Sequence, residues 1–171
     1  YAGGNSPTSV NGALPPWLNF VDATVRRYRG DVSTWEIWNE PNFDWQPAPN
    51  AADYAALAQV TIQKVRSLQP GATIILGGTS MVDKAFLTAV LPVVGSDIDA
   101  LGLHPYRQYP EQSQDDFVAL YPFLKPNAAF TPVGAASYTE EIAVVRAILS
   151  GLGLSRVKIW STEAGTASQN E

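Results

Sequence analysis

Thr73-Ile-Ile-Leu76, running on into Gly77-Gly78-Thr79-Ser80, is the stretch whose reading decides the fold. Its first four residues are β-branched or apolar at consecutive positions, not at alternate ones. A strand of that kind is covered on both faces, as in a parallel sheet flanked by helices. The flanks agree. On the N-terminal side, Pro70-Gly71 stops a helix that begins after Asn50, with Asp53 three residues on as in a capping box. Its apolar stripe is Tyr54, Ala58, Thr61, Val65 and Leu68. Before it, Thr34-Trp-Glu-Ile-Trp38 is short, aromatic and β-branched, hence a strand. A further helix precedes that, from about Pro16 to Arg29, with Pro15-Pro16 suited to its first turn. On the C-terminal side come a shorter helix over Asp83–Leu91 and a strand over Ile98–Leu103. A long connection with prolines at 110, 122, 126 and 132 leads to a helix over Tyr138–Ser150. Ser137 and Glu140 form its capping box, and Gly151 stands at the C′ position. Val157–Ser161 is the last strand. Strict alternation of helix and strand predicts an α/β fold with parallel strands and helical crossovers.

Composition narrows the function. The chain has 171 residues, a length that suggests one domain over 1–171. Hydrophobic residues make up 46% and charged residues 16%, which excludes a disordered tail. A net charge of −5 gives no basic footprint for nucleic acid. No apolar run approaches the ~18 residues of a membrane span. There is no cysteine and a single histidine, so disulfides, thiolate metal sites, multi-histidine metal sites and a cysteine nucleophile are excluded, and no cofactor is expected. The first residues, Tyr1-Ala-Gly-Gly-Asn-Ser-Pro7, lack the basic and apolar regions of a signal peptide. Both ends read as cut points inside something longer.

In parallel α/β folds the functional groups gather at the carboxyl ends of the strands. Those ends here are Asn39-Glu40-Pro41, Gly77-Gly78-Thr79-Ser80, His104-Pro105-Tyr106-Arg107 and Ser161-Thr162-Glu163-Ala164-Gly165. Two carboxylates, an Asn, a His and a Tyr would converge on one rim. Paired carboxylates are what glycosidic cleavage needs: one protonated, to donate to the leaving oxygen, and one ionised, to attack the anomeric carbon or activate water. Two such groups about 5 Å apart repel by roughly 3 kcal/mol at an effective dielectric of ~20, or about two pK units. Repulsion alone keeps one of them protonated near neutrality.

Trp35-Glu-Ile-Trp-Asn-Glu-Pro-Asn42 resembles the acid/base strand of the clan A glycoside hydrolases, which are (β/α)8 barrels, and its flanks look most like family 39 and the related family 5 enzymes. The resemblance implies that Glu40 is the general acid/base at the end of barrel strand four, and that Asn39 holds the sugar 2-hydroxyl. His104-Pro-Tyr106 resembles the His-x-Tyr after strand six, where the Tyr hydroxyl contacts the nucleophile and the His lines the site. Ile159-Trp-Ser-Thr-Glu-Ala-Gly165 resembles the strand-seven segment, which implies Glu163 as the nucleophile. The likeness runs from the loop after strand three to just past strand seven. Strands one to three and eight, an Arg near strand two and a stacking Trp after strand eight have no counterpart in it.

The expectation is therefore a partial (β/α)8 barrel, strands four to seven with their helices. It would carry the catalytic pair of a retaining hydrolase of β-linked glycosides or polysaccharides, drawn from a secreted parent. A carbohydrate is its expected partner, with the rest of the barrel or self-association covering the open strand edges. The alternative is a non-catalytic carbohydrate-binding or interaction module on the same fold. Within the site, His104 and Tyr106 are substrate-binding candidates, with plain packing as the alternative for each. Trp45, in the loop after Glu40, either stacks on sugar or packs the loop. Glu36, two and four residues before Trp38 and Glu40 on one strand face, reads as a barrel-interior carboxylate that needs a partner, not as a catalyst. Tyr109, Tyr121 and Phe123 would line a cleft or cover an edge.

Overall fold

The computed structural model describes residues 5–8, 12–106, 112–120, 122, 125–128, 130–134 and 137–165. The elements run α1 (Leu14–Tyr28), β1 (Thr34–Ile37), α2 (Ala51–Leu68), β2 (Thr73–Ser80), α3 (Lys84–Val94), β3 (Ala100–His104), α4 (Gln114–Leu120), α5 (Tyr138–Gly151) and β4 (Lys158–Ser161). The sheet has the order β1-β2-β3-β4, with every neighbouring pair parallel. This is the expected α/β architecture. The strands climb in sequence order, as consecutive β/α units of a barrel do.

The core lies between the sheet and its helices. Ile74 and Leu76 of β2 and Leu101 and Leu103 of β3 pack against Leu57 and Ile62 of α2, Leu87, Val90 and Leu91 of α3, and Val145 and Leu149 of α5. The opposite faces of the central strands are buried too, since Ile75 and Ala100 are both nearly inaccessible. That double burial is what the apolar run at 73–76 demands. The outer strands differ: most of β4 and Glu36 of β1 face solvent. An aromatic ladder ties α1, the exit of β1, α2 and α3 together. Trp17–Trp38, Trp38–Trp45, Trp45–Tyr54 and Tyr54–Phe86 have ring centroids 5.3, 5.3, 5.8 and 5.9 Å apart, within the range of favourable aromatic contact.

Several element boundaries differ from expectation, each for a local reason. β2 runs to Ser80 instead of Leu76, because a register shift between Leu76 and Thr79 carries the strand past its two glycines. Asp83 caps α3 by accepting from Phe86 N. The helix runs on through Pro92 to Val94: the ring removes one backbone donor, and Gly95 N still closes the last turn on Leu91 O at 2.8 Å. The long connection contains α4, a helix too short for its period to register in the sequence. It packs Phe117 with Met81 and Phe130 into a small cluster of its own. Asn50 and Ser137 cap α2 and α5 as expected. Gly151 is the last helical residue instead of the C′ glycine, and Gly153 takes the left-handed position with φ +71°. Arg107, Tyr109, Tyr121 and Phe123 lie outside the described residues.

Candidate active site

The exit of β1 is wound unusually tightly. Trp38 and Glu40 adopt φ of +71° and +42°, a left-handed conformation costing about 1–2 kcal/mol for a residue with a side chain. The neighbouring bonds hold it there. Glu40 N donates to Gly78 O at 3.0 Å, while Phe43 N and Asp44 N donate to Glu40 O at 2.8 and 2.7 Å. Asn42, fully buried, exchanges bonds with Ser80: its Nδ2 donates to the carbonyl at 3.0 Å, and its Oδ1 accepts from the amide at 2.9 Å. The chain after β1 is thereby fastened to the end of β2, and the Glu40 side chain is carried back across the sheet rim. Strain retained under such restraint is characteristic of functional positions.

The bulge in β2 frees two amides, and both find side-chain partners. Gly77 N donates to the Tyr54 hydroxyl at 3.0 Å, which itself donates to Ile37 O at 2.9 Å. Burial pushes the Tyr54 phenol well above its ordinary pKa, in keeping with this structural task. Gly78 N donates to Glu36 Oε1 at 2.9 Å. Gly78 must be glycine, because a Cβ there would fall on the His104 ring, and Gly102 is constrained alike, since its Cβ would sit 2.6 Å from Glu36 Oε1.

His104 ends β3 and is 1% exposed. Its Nδ1 lies 2.9 Å from Glu40 Oε1 and 3.7 Å from Glu163 Oε2, and its Nε2 lies 3.1 Å from Thr162 Oγ1. Burial pushes its pKa down, but the bond to Glu40 and the charges of Glu163, Glu40 and Glu36 together outweigh that and hold it above the usual value. Glu163 follows β4 by two residues. It accepts from the Tyr106 hydroxyl through Oε2 at 2.9 Å, and Ser161 Oγ donates to its carbonyl at 3.1 Å. That hydrogen bond, followed by slight burial and by the charges of Glu163 and Glu40, raises the Tyr106 pKa. One oxygen of Glu40, one of Glu163 and a ring nitrogen of His104 lie within 4.8 Å of one another. Their closeness is also what a cation would need, but both ring nitrogens of His104 are already taken up by hydrogen bonds.

The structure therefore brings four of the six sequence-predicted residues, Glu40, Glu163, His104 and Tyr106, into one cluster. Asn39 lies exposed immediately before Glu40. Two assignments change. Trp45 is 1% exposed and forms the middle of the aromatic ladder, so its faces are covered by Trp38 and Tyr54 and none is offered to a sugar. The exposed ring of that loop is Phe43, which lines a cavity of 280 Å³ together with Met81, Phe117, Tyr106 and both carboxylates. His104 was a substrate-binding candidate, but it is buried beneath Glu40 and contacts the carboxylate instead of the open rim. Sequence reasoning missed Thr162 and gave Glu36 no partner, yet the Thr162 hydroxyl donates to Glu36 Oε1 at 2.9 Å. The signal available was the Thr directly before Glu163, one position past the strand end.

No family model matches the sequence, and no curated protein matches it either. Solved structures do. A family 39 glycoside hydrolase from the gut symbiont Bacteroides cellulosilyticus superposes with a TM-score of 0.69 at 24% identity, over 100% of this chain and 34% of that one. A glucosidase from Croceicoccus marinus gives 0.63 at 16%, over 92% and 32%. An α-L-arabinofuranosidase from Thermotoga maritima gives 0.60 at 21%, over 92% and 33%. The chain thus spans about a third of the length of the structures it matches. At these identities the likeness establishes the fold: this chain has the architecture of part of a (β/α)8 barrel, of the kind those glycosidases share.

Proposed function

We propose that the chain carries the catalytic half-site of a retaining glycoside hydrolase, with Glu163 as nucleophile and Glu40 as general acid/base. The observation that supports this most is the approach of the two carboxylates: oxygens of each lie within 4.8 Å, beyond the ends of β1 and β4. Retention requires carboxyl groups about 5–5.5 Å apart, whereas inversion requires ~6.5–9.5 Å to fit a water. The glycosidase fold of the solved structures it resembles points the same way.

The chemistry follows from the contacts. Glu163 attacks the anomeric carbon as the bond to the leaving oxygen breaks, and Glu40 gives that oxygen a proton. Tyr106 donates to Glu163 Oε2, which favours the ionised nucleophile and fixes which oxygen is free to attack. Water then attacks the glycosyl ester, Glu40 takes its proton, and Glu163 leaves as carboxylate. In this reading Asn39, exposed beside Glu40, binds the sugar 2-hydroxyl. A β-linked glycoside is the substrate class of this reading, and a secreted parent acting on polysaccharide is its setting.

The test is covalent capture. A 2-fluoro-glycoside or epoxide probe panel is incubated with the complete parent protein, and the adduct is mapped by mass spectrometry. Label on Glu163 that disappears in Glu163→Gln is the expected result. Sugar binding without any adduct would replace this reading by a carbohydrate-binding module.

A further inference from the structure

Behind Glu40 runs a chain of groups that the two-carboxylate reading does not use. Gly78 N and the Thr162 hydroxyl both donate to Glu36 Oε1, each at 2.9 Å. His104 Nε2 lies 3.1 Å from the same hydroxyl, and Nδ1 lies 2.9 Å from Glu40 Oε1. The order of donors along it can be deduced. An ionised Glu36 only accepts, so the single proton of the Thr162 hydroxyl points toward it. The hydroxyl therefore offers His104 a lone pair, and Nε2 must carry a proton. A neutral ring with its proton on Nε2 has a bare Nδ1, which can only accept. One proton then serves two seats 2.9 Å apart: on Glu40 as the acid, or on Nδ1 as an imidazolium beside a carboxylate.

We propose that Glu36, acting through Thr162, is a positioning residue that holds His104 in the Nε2–H tautomer and so reserves Nδ1 to share the proton of Glu40. This rests on the reading of Glu40 as the acid/base. The fold makes room for the chain at two places, since Gly78 lies against the imidazole and Gly102 against Glu36 Oε1. It also gives the second half-reaction a driving force. Once the shared proton has left with the departing oxygen, a carboxylate and a bare nitrogen lone pair face each other. Taking a proton from the attacking water relieves that repulsion. Among the described residues, the titratable groups around His104 are Glu36 from β1, Glu40 after it, Tyr106 after β3 and Glu163 after β4. Of these only Glu36 is coupled to Nε2.

His104 is the only histidine, so ring-¹⁵N-histidine labelling gives one pair of nitrogen signals to follow against pH. In the unaltered chain the neutral ring is expected to be protonated on Nε2. Thr162→Val, which keeps the shape and removes the hydroxyl, should move the proton to Nδ1, and Thr162→Ser should keep it on Nε2. Glu36→Ala should also release the tautomer, because the Thr162 hydroxyl is then free to donate to Nε2. Glu36→Gln, which still offers an acceptor, should keep the tautomer and lower the titration midpoint by about one pH unit. An Nδ1–H ring in the unaltered chain, or an Nε2–H ring that survives both Thr162→Val and Glu36→Ala, would overturn the proposal. These readouts need no turnover. A wrong choice of Glu40 as the acid is seen separately, as hydrolysis by the parent enzyme that persists after Glu40→Gln.

Discussion

At Tyr106 and His104 single hydrogen bonds tie each carboxylate to a neighbouring ring. Tyr106→Phe removes one donor to the Glu163 carboxylate and nothing from the core, since the ring stands at the partly exposed rim of the cavity. In the complete enzyme it should slow glycosylation about tenfold or more while leaving the melting temperature within the scatter of surface substitutions. Single-turnover kinetics with an aryl glycoside would measure it, and an unchanged rate would remove Tyr106 from the mechanism. His104 predicts a stability trend. Its folded pKa lies above the ordinary value near 6.5, so protonation favours the folded state. The contribution is fully present below about pH 6.5 and fades as pH rises through the folded value. Denaturant midpoints of the chain and of His104→Gln, compared between pH 5.5 and pH 9, should converge toward alkaline pH. Glu40, Glu163 and Tyr106 were legible because each stands in a short motif at a strand end. Thr162 was not, because a lone hydroxyl has no pattern; only the fold sets it between Glu36 and His104.

The elements separate packing from recognition in the loop after β1. Trp45 fills the ladder between Trp38 and Tyr54, whereas Phe43 faces the cavity. Trp45→Ala should cost about 3–5 kcal/mol of stability, read from denaturant unfolding, through the void it leaves. Phe43→Ala should leave stability nearly unchanged and raise KM in the complete enzyme. The reverse pattern would restore Trp45 as the sugar platform. An aromatic residue in a loop is the case that sequence serves worst, because ring identity does not say which way the loop folds. The helices and strands were legible through their periods and caps, as at Asn50 and Ser137. The extension of β2 to Ser80 was not. Two glycines read as a strand exit, and their real task, yielding space to His104 while donating to Tyr54 and Glu36, is a tertiary fact.

On the scale of the molecule, β1 and β4 each pair on one side only among the described residues, Glu36 is exposed, and Trp160 of β4 is 40% exposed. Unpaired edges beside exposed apolar surface favour association. The 171-residue chain by itself is expected to associate, and to hydrolyse aryl β-glycosides barely faster than its Glu40→Gln/Glu163→Gln double variant. Sedimentation and an activity panel check both, and mutation-sensitive turnover by a monomer would contradict the expectation. The sheet order has a mechanical consequence. Neighbouring strands are about 4.8 Å apart, so in a flat sheet the first and fourth would stand about 14 Å from each other. Glu40 and Glu163 follow those two outermost strands, yet their oxygens approach within 4.8 Å. Two glutamate side chains reaching inward from those outer strands span most of that distance, so β2 and β3 act as the spacer between the carboxylates. A substitution that spreads those two middle strands apart would move the gap toward the width of an inverting enzyme, without touching a carboxylate.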